Sequence, residues 1–434
     1  MGYPVDDVGQ PSKDGREPVD KTRPFVISKH AVWMAYLKVK ANKGAAGVDE
    51  QSMQQFERNL KGNLYKIWNR MSSGSYFPPP VKLVEIPKKD GGVRPLGVPT
   101  VADRIAQTVV AAELEKTLEP LFDPDSYGYR PGRKAHDALE ICRQRCWRYD
   151  WAIDMDIKAF FDSVDHQLML KAVAFHTDAR WVLLYVRRWL QAPLQLRDGT
   201  LVARDRGTPQ GSAISPLLSN LFLHYAFDRW MRRTFPSFPF ERYADDVIVH
   251  CDREQQAVQV RDAISARLAE CGLTLHPDKT RIVYCKQDGR PGSAEHERFD
   301  FLGYTFRPRM AKSKTGNFFT GFLPAVSEAA AKAKREQIRH WRLHLWTNKT
   351  LSDIAAFINP IVRGWIYYYG RFYRSRLITA VLARINDYLV RWALRKYKRL
   401  RRSRPKATKL LARIARSQPD LFAHWHIAPP YSAG

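Results

Sequence analysis

An α+β fold is what this sequence predicts, and three observations carry the prediction. Short apolar runs of period two crowd the middle of the chain, and glycine- and proline-rich turns separate them. Beyond Ala329 the apolar spacing turns helical and stays so. At 434 residues the chain exceeds what one core fills, so two to four compact units are expected.

Composition limits the partners. A formal charge of +27 calls for a polyanion, with nucleic acid as the first choice and an anionic membrane surface as the rival. No apolar run is long enough to span a bilayer, and Met-Gly-Tyr-Pro-Val-Asp-Asp lacks the basic-then-apolar order of a secretory signal. Asp6 stands where a myristoylation pattern needs Ser or Thr. A cytoplasmic protein is expected, with no membrane partner. Cys142, Cys146, Cys251, Cys271 and Cys285 include no Cys-x-x-Cys, so buried free thiols are expected rather than a zinc site or disulfide framework.

In chain order, residues 1–27 carry no periodic apolar pattern and read as a disordered arm. Residues 28–75 read as helices around the loop Asn42 to Asp49, whose glycines suit a sharp turn or a close approach to a ligand. Residues 76–98 have the pattern of a hairpin: Val81 to Ile86, a turn at Lys89-Asp90-Gly91-Gly92, and a return from Val93 to Val98. Lys88 and Arg94 near its tip can reach a triphosphate, the first as a point charge and the second as a forked donor. Ala102 to Leu118 and Ala135 to Trp147 are helices flanking Ser126-Tyr-Gly-Tyr-Arg-Pro-Gly-Arg133, in which Tyr127 and Tyr129 are expected in the core. Gly207-Thr-Pro-Gln-Gly-Ser212 makes a tight turn ahead of a helix that Ser215-Pro216 would cap and begin. Glu254 to Cys271 is a helix ending at Gly272, placed to cover the back of a sheet. From Ala329 three amphipathic helices form a bundle, and Lys396 to Lys406 holds seven basic residues in eleven.

The acidic residues give the middle of the chain its chemistry. Trp151 to Lys158 alternates Ile153, Met155 and Ile157 with Asp154 and Asp156, so the strand has one apolar and one acidic face. Phe240 to His250 places Asp245-Asp246 between two short strands, where a turn lets neighbouring aspartates reach one cation. Side by side, the two segments offer three carboxylates for two Mg²⁺ ions.

These boxes resemble a known family. Tyr243-Ala-Asp-Asp246 and Asp156-Ile-Lys-Ala-Phe-Phe-Asp162 resemble the active-site boxes of reverse transcriptases, in the form carried by bacterial group II intron reverse transcriptase/maturases. The resemblance runs over about residues 28 to 425 and implies a right-hand polymerase. Fingers and palm, with an antiparallel sheet, would occupy residues 76–325, a helical thumb and maturase bundle residues 326–400, and a basic tail residues 401–434. It implies catalysis by Asp156, Asp245, Asp246 and Lys279, with Asp156, Ile157, Asp245 and Asp246 at the metals. Asp154 competes on the same face, but the family's ligand directly precedes Ile-Lys. Lys279 would approach the leaving pyrophosphate as a general acid.

By the same resemblance, Lys88, Arg94, Phe161 and Gln210 contact the nucleotide, with Phe161 under the sugar and selecting deoxynucleotides. Arg130 and Arg133 would hold template phosphates, and Phe299 to Phe306 would grip the primer terminus. Asn359 to Phe372 resembles the maturase signature, so Arg363, Lys396, Lys398, Arg399, Arg401 and Arg402 are expected to bind RNA. The implied partners are structured intron RNA, an RNA template, a DNA primer and dNTPs. Ser212 departs from the family's usual Gly without an expected loss of function. No Cys or His cluster follows Leu421 to His426, so the family's metal-dependent DNA cleavage is not expected. A domesticated enzyme of repair or phage defence, and a maturase that only binds RNA, are the alternatives.

Overall fold

Three helices, Lys29–Ala41, Met53–Glu57 and Leu60–Ser72, come first among the described residues. Ser52 caps the second by accepting from the Gln55 amide, and the Gln55 side chain accepts from the Ser52 amide in return. This computed structural model describes residues 23–87, 92–313 and 315–430, and no helix within them is long and apolar enough to cross a membrane. The Asn42 to Asp49 loop approaches protein closely: a Cβ on Gly47 would stand 2.6 Å from the Thr100 amide nitrogen. Residues 1–22 of the expected arm lie outside the described residues, but its end is packed. Ile27 is buried and its carbonyl accepts from Trp68 Nε1 at 2.6 Å.

The first sheet has the order β2-β1-β4-β5. Strands β1 (Val81–Pro87) and β2 (Val93–Val98) pair antiparallel, with β4 (Leu194–Gln195) parallel to β1 and β5 (Leu201–Val202) beyond it. The hairpin tip, Lys88 included, lies outside the described residues. Below the hairpin, the helix Val101–Leu118 carries a buried carboxylate that ties four segments together. Asp103 accepts from Tyr76 Oη, Trp189 Nε1 and Gln107 Nε2 at 2.7–2.9 Å, and Gln107 Oε1 accepts from the Ala213 amide. Three donors engage both carboxylate oxygens, so burial there is tolerable.

The second sheet, in the order β6-β7-β3-β8, is antiparallel throughout. It comprises β3 (Trp151–Met155), β6 (Phe240–Tyr243), β7 (Asp246–Cys251) and β8 (Arg281–Tyr284). Alternation gives it two faces. Ile153, Met155, Val247 and Val249 join the large core with Ala257, Val260 and Ile264 of the helix Glu254–Glu270. Ala152, Ile248 and Val283 pack with Ala138, Leu139 and Cys142 of the helix Ala135–Arg148.

A third sheet follows, β9 (Phe299–Phe301), β10 (Tyr304–Lys312) and β11 (Phe318–Val326), turning between β9 and β10 at Leu302 and Gly303, both with positive φ. From Glu328 the chain is helical: Glu328–Trp341, Leu351–Tyr369, a helix from Arg374 to Lys396 with a π-turn at Ile378–Leu382, and Arg404–Ser417. The last of these corrects the reading of 401–434 as a tail. Ala407, Leu411 and Ala415, spaced by four, face the bundle core with Phe422 and Trp425. The Asn359 side chain fastens the end by donating to the Leu421 carbonyl and accepting from the Ala423 amide. Dense surface charge hid an apolar stripe.

Candidate active site

The acid pair sits on a two-residue turn. Tyr243 pairs with Asp246, so Ala244 and Asp245 form the corner, with Ala244 at φ 59°. The backbone of Gly128 lies against that corner, since a Cβ there would stand 2.3 Å from the Ala244 nitrogen. Beside it β3 ends at Met155 opposite Val247, and antiparallel pairing brings Asp156 level with Asp246. The charge on Asp156 reaches both members of the doublet. Burial, then Asp245 and Asp156, push Asp246 up to about 6, while Lys279 pulls against them. Burial and Asp156 also raise Asp245, opposed by Arg94 and Arg242. Lys279 Nζ stands 3.1 Å from Asp156 Oδ2.

A divalent cation fits this donor set. Oxygen ligands only, mutual repulsion among the acids and an ammonium already drawn to Asp156 are what a hard cation relieves. Ile157 can offer only its backbone carbonyl, since its hydrocarbon side chain has no ligand atom and packs in the core. Asp154 lies one alternation back on the same face, and burial followed by Asp246, Asp300 and Asp156 pushes it up to about 8.

The loops expected around the nucleotide are laced together behind the acids. After Asp156, Ala159 takes φ 47° and a short helix, Phe160–Ser163, follows. The Phe161 carbonyl accepts from the Thr208 amide at 2.7 Å, and its ring lies against the core, partly exposed. The Gln210 carbonyl accepts from the Gly97 amide at 2.6 Å, joining the Pro-Gln-Gly turn to β2. Gly211 has φ 106°, and a Cβ there would lie 2.5 Å from the Gly97 carbonyl oxygen. Arg94, exposed on β2, contributes to the potential at Asp245. Ser215 does not cap its helix: its hydroxyl bonds Thr208 Oγ1 at 2.6 Å, while Ile214 holds the cap position.

Two expectations for the Ser126 to Arg133 segment are corrected. Arg130 is buried, with its guanidinium spent inside the protein: it pairs with Glu119 and donates to the carbonyls of Asp123 and Ser126. It has no forked face left for a template phosphate. Tyr127 is core, but Tyr129 takes φ 59° and is 56% exposed, with Asp245, Tyr243 and Arg94 contributing to its field. Arg133 is exposed above the Tyr127 ring.

In the helical end Arg363, Lys398, Arg399, Arg401 and Arg402 are exposed, and Lys396 is half-buried over Trp392 with its ammonium donating to the Lys349 carbonyl. The tyrosine-rich segment mostly builds structure. Tyr368 Oη donates to the Leu302 carbonyl, Tyr304 Oη donates to the Tyr368 carbonyl, and a Cβ on Gly303 would meet Tyr369. Tyr367 alone of the three is exposed.

Arg242, just before the acid box, has a role that the sequence pattern does not announce. Fully buried, it makes two bonds to Asp228, at 2.6 and 2.7 Å, and donates to Asn220 Oδ1 and the Ala244 carbonyl. Asn220 Nδ2 in turn donates to the Gly128 carbonyl. The corner bearing Asp245 is thus clamped from beneath. An arginine inside a run that otherwise reads as a buried strand was the available signal.

Residues 86–306 match the family model for reverse transcriptase (RNA-dependent DNA polymerase), about half of the chain. This chain belongs to the reverse transcriptase family. Its residues 331–410 match the group II intron maturase-specific domain, making it a reverse transcriptase of the group II intron kind. It is similar to Protein YkfC of Escherichia coli (strain K12), 32% identical over 304 residues, which are 61% of this chain and 77% of that protein. It is also 32% identical over 221 residues to the Group II intron-encoded protein LtrA of Lactococcus lactis subsp. cremoris, covering 49% of this chain and only 36% of LtrA. Among solved structures, telomerase from Candida albicans with a fragment of telomeric RNA aligns over 87% of this chain and 68% of its own, with TM-score 0.44 and 13% identity.

Proposed function

We propose that this reverse transcriptase extends a DNA primer on an RNA template at Asp156, Asp245 and Asp246, and that its helical end holds group II intron RNA as a splicing maturase. The observation that carries the reading is the meeting of an isolated acid from β3's end with an acid doublet on the neighbouring hairpin, both of whose members its charge helps to raise. Two Mg²⁺ ions at those carboxylates would activate the primer 3′-hydroxyl and stabilise the departing pyrophosphate. The chain's residues do the rest. Asp156 directly follows β3, Asp246 opens the adjacent β7 and Asp245 sits on a clamped turn, a rigid setting that avoids reorganisation during reaction.

Arg94 extends from the fingers hairpin over the site as a forked donor for the triphosphate. Lys279, resting on Asp156, is placed to give a proton toward pyrophosphate. Phe161 fills the space beneath the sugar, and Gln210, its backbone fixed to β2, faces the nucleotide. Arg133, Arg363, Lys398, Arg399, Arg401 and Arg402 supply phosphate contacts to template and intron RNA. Five buried free cysteines suit a reducing, bacterial cytoplasmic setting.

Primer extension on an RNA template with dNTPs and Mg²⁺ tests the reading. Asp245→Asn should abolish extension while leaving RNA affinity within about twofold, because a lost metal ligand removes transition-state stabilisation and not surface charge. Undiminished extension by that variant would overturn the assignment.

A further inference from the structure

On the outer side of the palm, an open cleft of about 1050 Å³ is lined by Arg229, Arg232, Arg233 and Arg267, with Asp123 the single acid among its walls. It lies behind the sheet. Asp246 shares its face of β7 with Ile248, which packs against the helix Ala135–Arg148, while Val247 and Val249 face the core that contains Phe222 and Ala226. The acid is already spent, because both Asp123 oxygens accept from Arg232 at 2.8 Å. Arg267 is tied to Glu270 and to the carbonyls of Tyr225 and Ala226. Arg229 and Arg233 are exposed and have no carboxylate partner among the described residues.

A π-turn shapes the cleft. Over His224–Asp228 it carries Asp228 inward to its buried pair with Arg242 and leaves Tyr225 and Arg229 outside, the guanidinium 5.7 Å from the ring centre. Tyr225 Oη and His176 Nε2 share a hydrogen bond at 2.6 Å, with their rings 5.7 Å apart and tilted by 33°. Phe175 extends the row, its ring centre 5.1 Å from that of His176 and 6.4 Å from that of Tyr225. It is 75% exposed at the end of the helix His166–His176. Beside it an apolar hollow of about 250 Å³ shares Tyr225 and Arg267 with the cleft, so unpaired cations and a fixed row of rings form one surface.

We propose that this surface is a second nucleic-acid site, separate from the polymerase acids, which holds a single strand with phosphates on Arg229 and Arg233 and a base stacked on Phe175. Forked guanidiniums match phosphate oxygens, and an exposed ring offers its face to any base. A duplex suits the surface poorly, because its paired bases cannot turn out onto Phe175. An acidic peptide would answer the arginines but would leave the row of rings without a flat partner.

Photocrosslinking to the full-length protein tests this. The protein is first saturated with a primer–template duplex, then given an oligouridine of about 8 nucleotides that carries 5-iodouracil, with the matching deoxy strand in parallel. Mass spectrometry should place crosslinks on Phe175, Tyr225 or Trp230, and the strand that binds tighter names the sugar preferred. Phe175→Ala should weaken probe binding by at least about fivefold. Arg229→Ala combined with Arg233→Ala should lower the slope of log affinity against log salt by about 1.4 and reduce the crosslink. These side chains are exposed, so the variants should fold. Asp245→Asn, and Arg401→Ala with Arg402→Ala, should keep the crosslink, which separates this site from the polymerase centre and from the helical end. Crosslinks confined to other segments, or yields indifferent to the loss of Arg229 and Arg233, would overturn the proposal. So would displacement of the probe by oligoglutamate as readily as by unlabelled strand, since that outcome assigns the surface to an acidic peptide.

Discussion

Replacing Asp228 by leucine should be among the most damaging single changes in the chain, although Asp228 is not among the metal-binding acids. The Arg242–Asp228 pair is wholly enclosed, so Asp228→Leu leaves a guanidinium in the core without its counter-ion. Breaking a buried pair from one side costs about 3–5 kcal/mol, which lowers the folded-to-unfolded ratio by about 10²–10⁴. Two of the donor's partners, Asn220 Oδ1 and the Ala244 carbonyl, remain and offset only part of the loss. Adding Arg242→Met removes the stranded charge, and the double variant should regain stability to within about 1 kcal/mol of the parent, since apolar replacement of an enclosed pair is close to neutral.

Activity should not return with stability. The double variant still lacks the donor to the Ala244 carbonyl, so the corner carrying Asp245 loosens, and a misplacement of about 1 Å can cost about 100-fold in rate. Urea unfolding followed by circular dichroism gives the first quantity, and primer extension per folded molecule gives the second. An Asp228→Leu variant within about 1 kcal/mol of the parent, or a double variant less stable than the single, would refute the account of the clamp.

Other expectations follow from single residues. Phe161→Ala should raise ribonucleotide incorporation relative to deoxynucleotide by at least about tenfold in competitive primer extension, and an unchanged ratio removes Phe161 from beneath the sugar. The paired change Arg401→Ala with Arg402→Ala should reduce the slope of log affinity against log salt for structured RNA by about two, measured by filter binding, if both residues touch phosphate. Burial drives His424 down to about 3 from an ordinary 6.5. As pH falls below 6.5 the unfolded chain takes up this proton and the folded bundle does not, so stability present above 6.5 drains away toward pH 3. Because the ring bonds Asn386 Oδ1, His424→Gln should keep the contact and lose less stability below pH 6.5; identical acid profiles for the two proteins would contradict this.

The parts legible in the sequence are those fixed by local periodicity. Ile153, Met155 and Val247 to Val249 have spacing that makes strands in any context, and a doublet of acids between two such runs lies at a turn. Asp156 and Lys279, more than a hundred residues apart in the chain, meet because strand order places their segments side by side. What escaped the sequence depends on who pays solvation. Arg130 reads as an exposed cation in a Pro-Gly loop, yet Glu119 and two carbonyls surround it. Tyr127 and Tyr129 look equivalent, but a left-handed backbone at Tyr129 turns the second ring outward. The stripe of Ala407, Leu411 and Ala415 is sparse beside the surrounding arginines and lysines, so charge dominated the reading of a packed helix. Asp103 and Arg242 draw their partners from segments far apart in the chain, where spacing carries no information.

The account's central claim is tested most directly by locating the ions. A crystal of the protein with an RNA template, a dideoxy-terminated DNA primer, the matching dNTP and Mn²⁺ should show two anomalous peaks about 4 Å apart, both bounded by Asp156, Asp245 and Asp246. Peaks elsewhere, or an ordered nucleotide with none of the three carboxylates facing it, would contradict it.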